Sequence, residues 1–427
     1  MYSSPIRPIR VIGTGRADAQ YQVPNTHLER IVALNTTADW IKNTIGVETR
    51  GWIGPHQNLY VLAAVAAEKA LADAGKTLDD VSHVYVAHNV SGEYTEPPAS
   101  ALVSHLLGIE GKPALDVIMG CSGFVNAVEV GRDNLQHQEI ENFARFGPEY
   151  RSLLSKVNLV LATDTMSYYP LANDRTFRVM SSDGAAAFVL SAEDSEAPEI
   201  LFIDTATYGG KGHHILMPTG LVNPFRYREG EFPVPETLDH IPRPYFIMKG
   251  NDVHPFIVRT LRDRMPLVIV EANKILEERG LPLITPNNFQ VVPHQPNKPG
   301  LLSAAKQYKG FVKSADDDLV TDFIYTHGVE RRGNNSGASA PIAYDMARED
   351  GWLRHDTYHG IVVMGAGLSD GFIFLSGNLQ EPRRVLNSDE ELSEKYWDRW
   401  TAFLVRAAET RAWHEKEKIK QELAKST

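Results

Sequence analysis

Cys121, His294 and the pair Asn334-Asn335 are the residues whose types and settings combine into a chemistry. Cys121 is the only cysteine among 427 residues, so it has no partner for an internal disulfide. It lies in Asp116-Val-Ile-Met-Gly-Cys-Ser-Gly-Phe-Val-Asn-Ala-Val-Glu129, which reads as a short apolar strand, a turn of small residues and a helix. A thiol at a helix start faces unpaired N–H groups and the positive end of the macrodipole. Both favour the thiolate: a free cysteine titrates near ~8.5, and this setting is expected to lower that value. Gly120, Ser122 and Gly123 leave room for a substrate. A lone cysteine is otherwise a common buried hydrophobe. His294, ending an apolar run, and the Asn pair in a small-residue turn shift the reading towards covalent catalysis by sulfur.

The elements that must position these groups follow from pattern. The first strand spans Ile9 to Gly15, and short helices cover His27 to Leu34 and Ala38 to Thr44. The Ala-rich run Leu59 to Ala74 predicts a helix closed by Gly75. Val81 to Val90 is a strand, Ser91 to Pro98 a polar loop, and Ala99 to Leu107 a helix stopped by Gly108. The Asp116 strand and Cys121 helix follow, then strands at Val157 to Ala162 and Ala186 to Leu190. The second half repeats this order. A helix at Leu267 to Arg279 closes at Gly280, a strand Phe289 to Pro293 ends at His294, and Gly333-Asn-Asn-Ser-Gly-Ala-Ser339 opens a helix as the Cys121 turn does. Ile361 to Met364 then matches Val157 to Ala162. Both halves alternate strand and helix, which predicts a layered α/β fold with buried, mixed sheets. A pseudo-two-fold between two copies would let Cys121 face His294 and Asn334.

The expected division is 1–200 for the half with the nucleophile, 201–380 for the half with His and Asn, and 381–427 for a charged helical extension. Arg132 to Lys156 extends the Cys121 helix, and Val222 to Tyr245, with several prolines, reads as a surface excursion. The tail from Ser388 carries a Trp397, Trp400, Phe403, Leu404 face that predicts docking on its own core or on a partner subunit.

Composition bounds the partners. The chain is 43% hydrophobic and carries a net charge of −11, from 43 basic and 54 acidic residues. Bulk attraction to nucleic acid or to an acidic membrane is therefore not expected. No run is apolar and long enough to span a bilayer, and Met1 to Arg10 lacks a signal core, which predicts a cytoplasmic protein. His213-His214 has no third ligand at a recognisable spacing, so no metal is expected. Asp164 and Asp183 read as turn-fixing residues.

Three motifs in order resemble the β-ketoacyl-ACP synthase III-like (KAS III-like) branch of the thiolase superfamily. Cys121-Ser-Gly-Phe124 is similar to that family's Cys-Ala-Gly-Phe turn, Val292-Pro-His-Gln-Pro-Asn297 to its Val-Pro-His-Gln-x-Asn, and Gly333-Asn-Asn-Ser-Gly-Ala-Ser339 to its Gly-Asn-Thr-Ser-Ala-Ala-Ser. Ala38-Asp-Trp-Ile41 with Arg50, and Ser182-Asp-Gly-Ala-Ala-Ala187, add to the likeness, which covers residues 9 to 377. The resemblance implies a five-layered αβαβα fold of duplicated halves, a homodimer, and acyl-thioester substrates carried on coenzyme A or acyl carrier protein, with no cofactor beyond the thioester itself. It makes Cys121 the nucleophile and His294 and Asn334 its partners, with Asn335 as the alternative if the turn is offset by one. Trp40 would stack the adenine of coenzyme A, Arg175 would contact its phosphates, and Phe124, Asn297 and Gly367 would complete the substrate site.

The implied reaction loads an acyl group onto Cys121. It then joins that group to a malonyl- or β-ketoacyl-thioester by decarboxylative Claisen condensation, with backbone N–H groups of Cys121 and the Gly365–Gly367 loop at the oxyanion. Thr44, the carboxylates Glu93 and Glu96 in the acyl-pocket loop, and the bulkier Met364–Gly371 loop depart from the family. They point to a specialised, polyketide- or fatty-acid-derived pathway. Competing readings are acyl transfer to an alcohol or amine with His294 as base, a non-decarboxylative condensation with Glu93 or Glu96 as base, and a non-catalytic partner subunit. A degradative thiolase would need a second cysteine.

Overall fold

The computed structural model describes residues 6–89, 92–152, 156–171, 173–217, 246–308, 322–377, 379 and 387–425. The excursion expected at Val222–Tyr245 lies outside the described residues. The first half builds a sheet from β1 (Ile9–Asp18), β2 (Val81–Ala87), β3 (Ala114–Val117), β4 (Val157–Thr165) and β5 (Asp183–Ala192), in the spatial order β1-β5-β4-β2-β3. The second uses β6 (Ile200–Thr207), β7 (Phe289–Pro293), β8 (Tyr358–Gly365) and β9 (Ser369–Leu375), in the order β6-β9-β8-β7.

Directions agree between the halves. β1 and β4 both run antiparallel to β5, and β2 runs parallel to β4. Likewise β6 and β8 run antiparallel to β9, and β7 runs parallel to β8. Ile324 bridges Val291 in parallel, as β3 flanks β2 in the first half. Four strands of matched order and direction make the duplication a property of the fold. β4, β5, β8 and β9 are buried along their whole length, as strands covered on both faces must be.

Nine helices are needed to place the site: α1 (Ala38–Ile45), α2 (Leu59–Ala74), α3 (Ala99–Leu107), α4 (Gly123–Phe146), α5 (Gly250–Arg259), α6 (Met265–Glu278), α7 (Lys298–Gln307), α8 (Ser339–Glu349) and α9 (Asp389–Lys425). α2 and α3 share one apolar cluster with the first sheet. α4 and α8 share another with residues of both sheets, including Phe188 and Ile361. α5, α6 and α7 pack with the second sheet. The layers therefore run helix, sheet, helix, sheet, helix. α2 forms where expected: Asn58 caps it by accepting the Val61 N–H at 2.9 Å, and Gly75 closes it at φ +63°. It lies hard against β1 because Gly13 and Gly15 carry no side chain; a Cβ there would sit 2.5 Å from the Ala70 carbonyl oxygen and 2.4 Å from the Ala70 nitrogen.

Two outcomes qualify the expectations. The segment read as one helix over His27–Leu34 is a short helix at Asn25–Glu29 and a separate turn at Val32–Leu34. Ile31, at ψ 94°, leaves the helical region between them, in keeping with the stiffness of adjacent β-branched residues. The C-terminal helix α9 docks on its own chain. Tyr396 and Trp400 are buried with the first-half core, and Trp400 packs on Tyr60 at 4.9 Å between ring centroids. No helix among the described residues is long and apolar enough to cross a membrane.

Candidate active site

Cys121 sits where β3 hands over to α4, in a single 3-10 turn at Gly120–Ser122. Ser122 anchors the turn, donating to the Met119 carbonyl at 2.8 Å and meeting Ser369 Oγ at 2.6 Å. The β8–β9 loop presses on it. A Cβ on Gly365 would lie 2.7 Å from Cys121 Cβ and 2.8 Å from its nitrogen, so glycine is required there. The sequence predicts a stabilised thiolate, and the structure corrects this. Burial pushes the Cys121 thiol up to about 11, and hydrogen bonds with Ser336 and the Ala366 backbone only partly offset it. A turn packed against Gly365 loses more solvation than one helix start returns, and the charge of Asp164 adds to the shift.

His294 ends β7, as expected, and its backbone N–H donates to Val362 on β8 at 2.6 Å. Its ring is buried, which lowers its pKa to about 3, with a hydrogen bond to the Ser336 backbone acting weakly the other way. The imidazole is therefore neutral at physiological pH. Its Nδ1 has no hydrogen-bond partner among the described residues. Asn334 belongs to the turn before α8 and is fastened to the first half: its N–H donates to Met180 at 2.7 Å, and its carbonyl accepts from Ser182 at 3.0 Å. Its side-chain oxygen accepts the Ser336 N–H at 2.8 Å and the Ser339 hydroxyl at 3.3 Å. The amide NH2, whose nearest partner is Met180 Sδ at 3.9 Å, is thereby left for a ligand.

Cys121, His294 and Asn334 line one cavity of about 300 Å³. Asn335 is outside it; its amide donates to Ser182 Oγ at 3.1 Å and to the Asp183 carbonyl at 2.9 Å. The offset alternative is thus a structural residue. Trp40 and Arg175 also line the cavity, with the guanidinium over the indole at 4.5 Å and donating to the Asn35 carbonyl at 3.1 Å. Asn297 lines it too, but its side-chain oxygen is committed to capping α7 through the Gly300 N–H at 2.8 Å. The wall between these groups is apolar, with Met166, Phe177, Met180, Phe246, Met248 and Phe256.

Two expected substrate contacts are corrected. Phe124 is fully buried in the central core, edge-on to Phe188 at 4.9 Å, and does not line the cavity. Its place on the first turn of α4 faces the sheet. Gly367 is not in the cavity wall either; Gly365 and Met364 are. The loop nitrogen beside the sulfur is that of Ala366. Asp183 fixes turns as expected, accepting N–H bonds from Ile53 at 2.9 Å and Ser167 at 2.8 Å. Glu93 and Glu96 are exposed and outside the cavity of this chain. His213 and His214 lie in a 3-10 turn, with His214 bonded to Asp252 at 3.1 Å, and no metal cluster occurs among the described residues.

Sequence reasoning missed Ser336, whose Oγ is 3.5 Å from the Cys121 sulfur, although it lies inside a motif already singled out. It also missed Ala366, hidden between two glycines, and the closeness of Asp164 to the sulfur.

No family model matches the chain. The β-ketoacyl-[acyl-carrier-protein] synthase III of Citrobacter koseri is 28% identical over 363 residues, covering 85% of this chain and 97% of that protein. Among solved structures, the 3-oxoacyl-(acyl carrier protein) synthase III of Pseudomonas aeruginosa superposes with a TM-score of 0.64 at 25% identity, covering 89% of this chain and 100% of that one. The priming β-ketosynthase of the R1128 polyketide biosynthetic pathway superposes with a TM-score of 0.65 at 23% identity, covering 89% and 99%. With the duplicated five-layered fold and the ordered motifs, the chain is similar along most of its length to β-ketoacyl-[acyl-carrier-protein] synthase III enzymes.

Proposed function

We propose that this condensing enzyme takes an acyl group from an acyl-CoA or acyl-carrier protein onto Cys121 and joins it, by decarboxylative Claisen condensation, to a malonyl- or β-ketoacyl-thioester in a specialised pathway. The observation that carries the reading is the convergence of Cys121, a neutral His294 and the Asn334 amide NH2 on one cavity. The sulfur attacks the thioester carbonyl, and N–H groups of Cys121 and Ala366 take the oxyanion. Coenzyme A leaves and an acyl-cysteine remains. The second thioester then loses CO₂, and the charge that develops on its oxygen is met by hydrogen bonds from His294 and Asn334. The carbanion attacks the acyl-cysteine, and the β-ketoacyl product departs.

The cavity wall suits this sequence of events. Its methionines and phenylalanines receive an acyl or pantetheine chain, and Trp40 with Arg175 offers a flat, cationic platform for an adenine nucleotide. The likeness to the Citrobacter koseri β-ketoacyl-[acyl-carrier-protein] synthase III supports an acyl-thioester substrate. A homodimer is part of the same proposal: β3 is the open edge of its sheet, with Leu115 48% and Ile118 58% exposed beside it.

The test is incubation with a panel of acyl-CoA donors, then with malonyl-CoA or malonyl-carrier protein, followed by intact-protein and product mass spectrometry. An acyl adduct on Cys121 that is discharged with CO₂ release supports condensation. An adduct discharged to an alcohol or amine without CO₂ would indicate acyl transfer, and the absence of any adduct would leave a non-catalytic subunit.

A further inference from the structure

Two buried hydroxyls join the Cys121 turn to the loop that faces it. The Ser122 and Ser369 oxygens lie 2.6 Å apart, out of reach of water. Ser122 Oγ donates to the Met119 carbonyl at 2.8 Å, inside the turn. A hydroxyl has one proton and two lone pairs. With the Ser122 proton given to Met119, the Ser369 proton has two acceptors, Ser122 Oγ at 2.6 Å and the Ala366 carbonyl at 2.7 Å. One belongs to the nucleophile turn of the first half and the other to the β8–β9 loop of the second. A single hydroxyl thus ties the two halves together beside the sulfur.

The loop is the three-residue connection 366–368, with Gly365 and Ser369 paired at its base. Its outer end is fixed to the second half, where the Leu368 carbonyl accepts the Tyr208 N–H at 2.7 Å. Its inner end rests on the Cys121 turn. A Cβ on Gly120 would come within 2.9 Å of Ala366 Cβ and 3.2 Å of the Ala366 nitrogen. Close packing sets how near the two segments come, but it does not aim a backbone N–H. A hydrogen bond to the Ala366 carbonyl is directional and supplies that aim. Ser369 itself is not in the cavity wall, so it acts through Ala366 and Ser122.

We propose that Ser369 is a positioning residue whose hydroxyl holds Ala366 against the Cys121 turn, so that the Cys121 and Ala366 N–H groups meet the oxyanion together. The inference rests on the reading of Cys121 as the acyl acceptor. Donors in such a site act by standing ready where charge develops, and a misplacement of about 1 Å can cost about 10²-fold in rate. The loop carries one of the two donors and the turn carries the other with the nucleophile. Their mutual placement is therefore what the Ser369 hydroxyl controls.

Two reactions of the same sulfur separate this role from a merely structural one. Iodoacetamide alkylates Cys121 by displacement of iodide and forms no oxyanion, whereas loading from acyl-CoA passes through one. Both are followed by intact mass on the full chain. Loading is measured in single turnovers at saturating donor, with whichever of acetyl- to dodecanoyl-CoA loads the wild type fastest. Ser369→Ala should alkylate at the wild-type rate and load roughly 10²-fold more slowly. Ser122→Ala, which leaves the bond to the Ala366 carbonyl in place, should alkylate at the wild-type rate and load about ten-fold more slowly, as for one lost hydrogen bond. Circular dichroism checks both for folding, and Ser122→Ala decides by the same criteria if Ser369→Ala does not fold. Loading of either variant at the wild-type rate would overturn the proposal. So would alkylation and loading slowed equally, the mark of a displaced sulfur. A wild type that alkylates but loads from none of the donors would instead overturn the reading of Cys121 as acyl acceptor, and the proposal with it.

Discussion

Asn334 Oδ1 accepts the backbone N–H of Ser336 at 2.8 Å, and this one bond decides which end of the amide meets the substrate. With the oxygen held by the turn, the NH2 is the group presented to the cavity. Asn334→Asp keeps the acceptor and loses the donor. Loading of Cys121 should continue, while condensation should fall by roughly 10²–10³, as for removal of one oxyanion donor. Intact mass of the acyl-enzyme and CO₂ release from a malonyl donor measure the two steps separately.

His294 gives a prediction in pH. Because burial holds it neutral down to about 3, CO₂ release from pre-acylated enzyme should show no loss as pH falls through the ordinary histidine range. The same shift has a stability consequence of definite sign. Below about pH 6.5 the unfolded chain protonates this ring and the native state does not, so native stability is lost as pH falls. His294→Asn removes that penalty. Relative to wild type, the variant should gain about 2 kcal/mol between pH 8 and pH 5, read from urea unfolding at the two pH values.

Trp40 and Arg175 touch directly, with the cation 4.5 Å from the ring. A base inserted between them would need about twice a 3.5 Å contact, so the guanidinium must move aside for an adenine to stack there. Trp40→Ala should raise KM for acyl-CoA about ten-fold with kcat little changed, in line with the loss of a stacking platform. Acyl-pantetheine, which lacks the nucleotide, should be handled alike by wild type and variant.

Trp400 is 2% exposed and packs on Tyr60, whereas Trp413 is 63% exposed on the same helix. Trp400→Ala should cost about 3–5 kcal/mol. Trp413→Ala should stay within about 0.5 kcal/mol. Chemical denaturation of both variants checks that the tail is part of the first-half core.

The sequence carried the fold well where pattern and punctuation agree. Leu59–Ala74, Ala99–Leu107 and Phe289–Pro293 form with the boundaries read from Gly stops and apolar runs. The strands Ile200–Thr207 and Ser369–Leu375 were not singled out, the second because a Gly-rich loop hides its start. In the site, Cys121, His294 and Asn334 were legible because each sits at a strand end or turn that residue type marks. Phe124 was misplaced because its face on α4 depends on tertiary packing. The thiol's shift differs from the expectation because helix-end electrostatics can be read locally, whereas burial against Gly365 and the charge of Asp164 come from segments far apart in the chain. Ser336 becomes a neighbour of the sulfur only where the two halves are apposed.

The most direct measurement is the intact mass of the protein after one acyl-CoA, and again after a malonyl-thioester, in wild type and Cys121→Ala. An acyl increment located on Cys121, lost with formation of CO₂ and a β-ketoacyl product and absent from the variant, is the expected result. An increment of the same mass on Cys121→Ala, or a product formed without an acyl-cysteine, would contradict it.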